Sequence, residues 1–305
     1  MLYYILYPLK DYFFGFNVLR YITFRAACAA LTCMLLTLVL GPFIIRKLYE
    51  MKIGQPIRKE ECPPLYALHK SKEGTPTMGG LLIVVSVVLS VLLWGEILNG
   101  YMIIMLLSIV WFGGIGFTDD FLKLRRHSSK GLSAREKFLA QTVMSFAVGA
   151  WFLYDQHTRT FAANLYVPFV KEPLMNMGIF YLFFVMIIIN GSSNAINLTD
   201  GLDGLAAGCT VIAMLAFTVL SYVVGHAKFS EYLNVQHVAQ AGELAVFCAA
   251  VVGAGLGFLW YNSYPAQVFM GDTGSLALGG CIGIVAVLIK KELYLLLIGG
   301  VFVWE

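Results

Sequence analysis

Eight long, predominantly apolar runs dominate the chain, at approximately 26–45, 78–94, 101–118, 138–154, 178–196, 205–224, 243–261 and 273–289. A hydrocarbon core about 30 Å thick demands about 20 such residues of a spanning helix, and several of these windows approach or exceed that length. A ninth run begins near Leu293 and is cut off at Glu305. With 59% hydrophobic and 13% charged residues, the chain cannot cover a soluble surface. Strand-type alternation is absent, which argues against a β-barrel. The expected fold class is all-α: a polytopic integral-membrane helical bundle, with residues 1–305 forming one transmembrane domain. Residues 1–20 are aromatic and partly polar, without the basic start and small-residue cleavage site of a signal peptide, and read as an interfacial segment.

Cytoplasmic loops retain positive charge, so counting Lys and Arg orients the bundle. Segment 46–77 holds seven and 119–137 holds six, whereas the segments on the opposite side together hold seven. The N terminus is therefore expected outside. The six cysteines show no CxxC or Cys/His spacing and read as small hydrophobes.

The chain has seven aspartates, and five of them fall at the cytoplasmic ends of spans: in FTDDF (117–121), NLTDGLDG (197–204) and VFMGDTG (268–274). Two of these loops contain no Lys or Arg. Acids converging on a membrane face without paired bases need another source of positive charge, and a divalent cation supplies it. Each stretch taken singly has a plainer reading. Thr199, Asp200, Asp203 or Asp272 could cap the helix that follows, and Asp119 and Asp120 could be solvated at a helix end. Three separate caps do not explain an adjacent like-charged pair at a membrane surface, an expensive place for unpaired charge. The glycines at 201 and 204, or 271 and 274, suit a backbone that approaches a ligand closely or takes positive φ.

Magnesium prefers oxygen ligands and binds through one or two carboxylates together with substrate phosphates. Asp119, Asp120 and Asp272 are the metal candidates, and Lys72, Lys123 and Lys130 can neutralise phosphate oxygens as point charges. Phe269 could stack a base beside Asn262, although an aromatic near a membrane end also serves as a belt anchor. No Walker loop or GxGxxG after a strand is present, and DGLDG lacks the acids of an EF-hand.

The stretches GTPTMGG (74–80), GFTDDFLK (116–123), NAINLTDGLDGLA (194–206) and GFLWYNSYPAQVFMGDTGSLALGG (257–280), with the opening GFNVLRYITFRA (15–26), resemble the bacterial phospho-N-acetylmuramoyl-pentapeptide transferases. These are a branch of the polyprenyl-phosphate N-acetylhexosamine-1-phosphate transferase family. The resemblance runs in order along essentially the whole chain. It implies a ten-helix inner-membrane enzyme, a homodimer, that moves phospho-MurNAc-pentapeptide from UDP-MurNAc-pentapeptide to undecaprenyl phosphate with magnesium, giving lipid I and UMP. It implies that Asp119 and Asp120 are the paired catalytic aspartates and that Asp272 is tied to the metal. Asp200, Gly201, Leu202 and Asp203 match a uridine pocket walled by Asn262 and Phe269. Lys72 matches a nucleotide-contacting lysine, and Lys123 a phosphate-side one. Besides the two substrates, membrane lipid is the expected partner; no nucleic acid is. The family continues beyond this point with further membrane segments and a loop carrying a histidine triplet, so the chain is expected to be truncated within the ninth span. Its five histidines are scattered.

A polyprenyl-phosphate GlcNAc-1-phosphate transferase is the neighbouring alternative. An ion-coupled transporter is less suited, because transporter sites lie near the midplane between repeats and these acids cluster at span ends. A CDP-alcohol phosphotransferase would place Arg where Ala207 stands.

Overall fold

The computed structural model describes residues 1–50, 75–126, 131–168, 170–300 and 302. Eight long helices correspond to the eight expected spans: α1 (Ile22–Glu50), α2 (Gly80–Trp94), α3 (Gly100–Arg125), α4 (Ala134–Tyr154), α5 (Phe180–Thr199), α6 (Leu205–Gly225), α7 (Leu244–Asn262) and α8 (Gly271–Leu288). Among the described residues six are long and apolar enough to cross a membrane: α1, α3, α5, α6, α8, and α7 together with the turn before it. The chain is a polytopic helical membrane protein. Helix α2 is apolar but has only 15 residues. Helix α4 has 21 but dilutes its apolar run with Gln141, Thr142 and Ser145, which bond to α5 instead of facing lipid. The expected ninth span is not a spanning helix among the described residues. A 3-10 turn (Glu292–Tyr294) and a four-residue helix (Leu295–Ile298) stand there, followed by Gly299 and Gly300.

Two pieces interrupt the helical pattern. The N-terminal segment forms three short helical turns (Leu2–Leu6, Tyr7–Asp11 and Phe14–Arg20) with Tyr12, Phe13 and Phe14 exposed. An antiparallel hairpin pairs β1 (Asn164–Tyr166) with β2 (Pro173–Asn176) between α4 and α5.

Helices α7 and α8 form the centre, with 83% and 89% of their most apolar stretches buried, against 28% for α1. Their composition explains this. Apolar burial drives helices together only weakly in lipid, so small residues that let backbones touch decide which helices pack closely. A methyl group on Gly253 would lie 2.0 Å from the Ala30 carbonyl oxygen of α1, and one on Gly279 would lie 2.5 Å from the Ser192 carbonyl oxygen of α5.

The end of the bundle where α1, α3, α5 and α7 finish carries the aspartates. The opposite end holds two buried ion pairs. Arg25 grips Glu243 with its two terminal guanidinium nitrogens, and Lys290 pairs with Glu292 at 2.9 Å while also donating to the Ala162 carbonyl. Tyr181 donates its hydroxyl to the same Glu292 oxygen. The desolvation cost of such charges is large, and each is met by an opposite charge, although Arg25 Nε and Glu292 Oε2 remain buried without a hydrogen bond.

Candidate active site

The first turn of α8 is where the three motif loops meet. Gly271 enters it at φ +72°, a left-handed conformation suited to glycine, and a side chain there would strike Thr77 and Asp120. A methyl group on Gly80, at the start of α2, would lie 2.0 Å from the Gly274 amide nitrogen. One on Gly116 of α3 would lie 2.1 Å from the Asp272 carbonyl oxygen. Backbone bonds lace the TMGG turn to the loop before α8: Phe269 N–H donates to Pro76, Gly79 to Phe269 and Gly80 to Met270. The helix ends therefore cross in backbone contact, and the side chains they carry are held to the packing of three helices.

On this frame the structure brings Asp119, Asp120 and Asp272 together, with one carboxylate oxygen from each within 4.8 Å of the others. Their environments differ. Both oxygens of Asp120 face the start of α8: Oδ1 accepts from the Asp272 amide at 3.3 Å, and Oδ2 accepts from the Thr273 amide at 3.0 Å and its hydroxyl at 2.8 Å. Asp120 thus satisfies amides that a helix start leaves free, acting as a cap supplied by a neighbouring helix. Asp119 Oδ1 accepts from the Leu132 amide at 2.8 Å, and Lys123 Nζ lies 2.5 Å from its Oδ2. Asp272, the most exposed of the three, accepts from Asn197 Nδ2 at 2.8 Å on Oδ1, and from Lys123 at 3.0 Å and Lys137 at 2.7 Å on Oδ2.

Two expectations are corrected here. The acids are not without bases, because Lys123 and Lys137 from the α3–α4 region reach across to Asp272, which a loop-by-loop charge count cannot show. Of the four glycines, only Gly204 (φ +74°) and Gly271 take positive φ. Gly201 stands in open space, and Gly274 packs against Gly80 and Met270.

The segment expected as a uridine pocket lies beside the aspartates. Asp200 caps α5 and accepts a bond from the Gly271 backbone; burial, then the negative charge of Asp272, push its carboxyl well above the ordinary 3.8. Gly201 and Leu202 are exposed, Leu202 to 61%. Asp203 Oδ2 accepts from the Ala266 amide at 3.2 Å. Asn262 is 3% exposed, and its amide is fully used: Oδ1 accepts from Gly204 and Nδ2 donates to the Val268 carbonyl. It therefore bridges the two loops, with one bond on each end of its amide. Phe269 is half-buried between them. Lys72 and Lys130 lie outside the described residues.

A cleft of about 570 Å³ opens on the Asp119 side of this cluster, lined by Asp119, Lys123, Arg126, Gly131, Leu132, Ser133, Glu136 and Lys137. Lys137 and Asn197 are the residues that sequence reasoning missed. Lys137 sits one turn into α4, where a Ser133–Glu136 capping box begins the helix, and resembles any interfacial lysine. Asn197 belongs to the NLTDGLDG stretch itself, and its place beside two aspartates was the available signal.

The model of glycosyl transferase family 4 matches residues 102–290, and a phospho-N-acetylmuramoyl-pentapeptide-transferase signature matches residues 72–84. The chain is 52% identical to a phospho-N-acetylmuramoyl-pentapeptide-transferase of Thermodesulfovibrio yellowstonii, 50% to one of Oleidesulfovibrio alaskensis and 48% to one of Endomicrobium trichonymphae. Each match covers 100% of this chain and 83% of the relative. Such likeness over the whole length, on a bundle that gathers the shared motifs at one end, means that the chain belongs to glycosyl transferase family 4 and, within it, to the phospho-N-acetylmuramoyl-pentapeptide transferases.

Proposed function

We propose that this chain transfers phospho-MurNAc-pentapeptide from UDP-MurNAc-pentapeptide to undecaprenyl phosphate, forming lipid I and releasing UMP. The carrying observation is the convergence of Asp119, Asp120 and Asp272 with Lys123 and Lys137 beside an open cleft at one end of the bundle. By the excess of Lys and Arg on that side, this end faces the cytoplasm of a bacterial inner membrane, with the N terminus outside. By family likeness the active unit is a homodimer.

The donor set suits magnesium. The oxygens are hard carboxylate ligands, and three acids (Asp119, Asp120 and Asp272) stand against two ammonium groups, leaving an excess of negative charge for a cation. Asp119, which lines the cleft, and Asp272, the more exposed partner, are the residues that would hold the ion, whereas Asp120 is turned onto the start of α8. When bound, magnesium neutralises charge on the diphosphate and on the departing UMP.

The residues of the chain do the rest. Lys123, Arg126 and Lys137 line the cleft and draw in the lipid phosphate, which already carries a charge of about −1.5 to −2 near neutral pH and needs no strong base. One of its oxygens bonds to the sugar-linked phosphorus, while the bond from that phosphorus to the bridging oxygen breaks and its electron pair leaves on UMP. Asp119, held by the Leu132 amide and Lys123, positions the acceptor side. Asp272, clamped by Asn197 and two lysines, is a poor nucleophile, which favours direct attack over an aspartyl-phosphate.

The test is UMP release by the purified chain given both substrates, with and without magnesium, beside a parallel reaction with UDP-GlcNAc. UMP from the muramoyl donor alone is expected. Release only from UDP-GlcNAc would move the chain to the neighbouring branch, and uptake into vesicles without UMP would make it a transporter. Near-normal turnover of Asp272→Asn at limiting magnesium would remove both metal-binding and nucleophilic roles from that residue.

A further inference from the structure

Helices α4 and α5 are joined by a polar seam buried inside the bundle. Gln141 donates from Nε2 to Ser193 Oγ (3.3 Å) and Asn194 Oδ1 (3.4 Å), and Asn194 Nδ2 returns a bond to Gln141 Oε1 at 2.9 Å. One turn further from the site, Ser145 Oγ donates to Asn190 Oδ1 at 2.7 Å, and Asn190 Nδ2 donates to Thr142 Oγ1 at 2.9 Å. Gln141, Ser145 and Ser193 are fully buried, and Asn190 is 5% exposed.

These bonds keep one antiparallel register. Residue 141 faces 193 and 194, and 145 faces 190. Further along, a methyl group on Gly149 would lie 3.3 Å from Val185, and the Phe152 and Tyr181 rings lie 6.4 Å apart. In the other direction the same register brings 137 opposite 197. Lys137 and Asn197 hold the two oxygens of Asp272, at 2.7 and 2.8 Å. Ser193 extends the seam to α8 by donating to the Leu276 carbonyl, one turn past Asp272.

We propose that Gln141 and Asn190 are positioning residues that set the register of α4 against α5, and through it the grip of Lys137 and Asn197 on Asp272. Shape alone specifies register weakly between apolar helices in lipid, whereas a slip here strands several amide donors and acceptors away from water. One turn of slip moves a side chain about 5.4 Å along the axis, enough to break both contacts with Asp272. The inference rests on Asp272 belonging to the catalytic centre.

The experiment compares Gln141→Leu, Asn190→Leu and Lys137→Met in the full chain, measuring kcat, KM for the nucleotide donor and melting temperature. Both leucine variants are expected to fold and to lose about tenfold to a hundredfold in kcat, the scale of a misplaced catalytic group, with little change in KM. The exchange Gln141→Asn with Asn194→Gln keeps the same donors and acceptors on that rung and is expected to recover most of the loss. If Lys137→Met inactivates but Gln141→Leu turns over normally, the register proposal fails and the site reading stands. If Lys137→Met itself is fully active, the site reading fails. If kcat per folded molecule is unchanged while only the melting temperature falls, the seam is structural and the proposal is overturned.

Discussion

Gly116 offers the sharpest test of the idea that backbone contact between helix ends places Asp272, the proposed catalytic aspartate. A methyl group there would lie 2.1 Å from the Asp272 carbonyl oxygen, 2.3 Å from its carbon and 2.5 Å from the Thr273 nitrogen. Ordinary contact begins at 3.4 Å, so Gly116→Ala demands that α3 or the first turn of α8 move by about 1.3 Å. All three opposing atoms are backbone, and no side-chain rotation relieves the clash. Overpacking of this kind costs about 1–3 kcal/mol, partly offset by the gain of about 1 kcal/mol that alanine brings over glycine within a helix. The net change in stability is therefore small. The displacement falls on Asp272, however, and misplacement by about 1 Å can cost about a hundredfold in turnover, or about 2.7 kcal/mol of barrier. Gly114, half a turn away, has nothing within 4 Å of where its methyl would sit, which makes Gly114→Ala the matched control. UMP release and thermal unfolding measured on both variants decide the matter. Gly116→Ala should be folded and nearly inactive, and Gly114→Ala should match the parent. Full activity of Gly116→Ala would refute the reasoning.

Three further outcomes follow from the geometry. Asp120→Asn and Thr273→Val each remove part of one cap, at about 1.5–3 kcal/mol per charge-assisted bond, and the double variant should lose much less than the sum; additive losses in unfolding free energy would mean the two do not act through each other. Because the folded state raises the carboxyl of Asp200 above its ordinary 3.8, the folded chain binds the extra proton, and stability declines as pH rises from that value through the raised one. In chelator the melting temperature should therefore be lower at about pH 7.5 than at about pH 5, and Asp200→Asn should narrow the gap; an unchanged gap would acquit Asp200. At the far end, Lys290→Met leaves Glu292 charged and buried, a loss of about 3–5 kcal/mol, whereas adding Glu292→Gln should restore most of it in thermal unfolding.

By itself the sequence determined the fold class and pointed to the acids that gather at one end of the bundle. Long apolar runs become helices in lipid, because no water satisfies their backbone, so eight helices were legible from composition, six of them of spanning length, while the expected ninth is not a spanning helix among the described residues. The aspartates stood out for the same reason: charge is costly at a membrane, and Asp119, Asp120, Asp200, Asp203 and Asp272 all fall at span ends of one parity. What each aspartate touches was decided only in three dimensions. Asp119 and Asp120 are neighbours in the chain, yet 100° of helical turn sends one toward the cleft with Lys123 and the other onto the start of α8. Asn262 also ties two loops together, a structural bond that its place in the sequence does not announce. Lys137 was invisible because its meaning lies in α4 packing beside α5, so that an ordinary lysine arrives 2.7 Å from an acid 135 residues away. Local pattern carries hydropathy and helix length; the direction of a side chain and the identity of its partner depend on helix crossings, which this chain sets with glycine contacts and a buried polar seam that no periodicity announces.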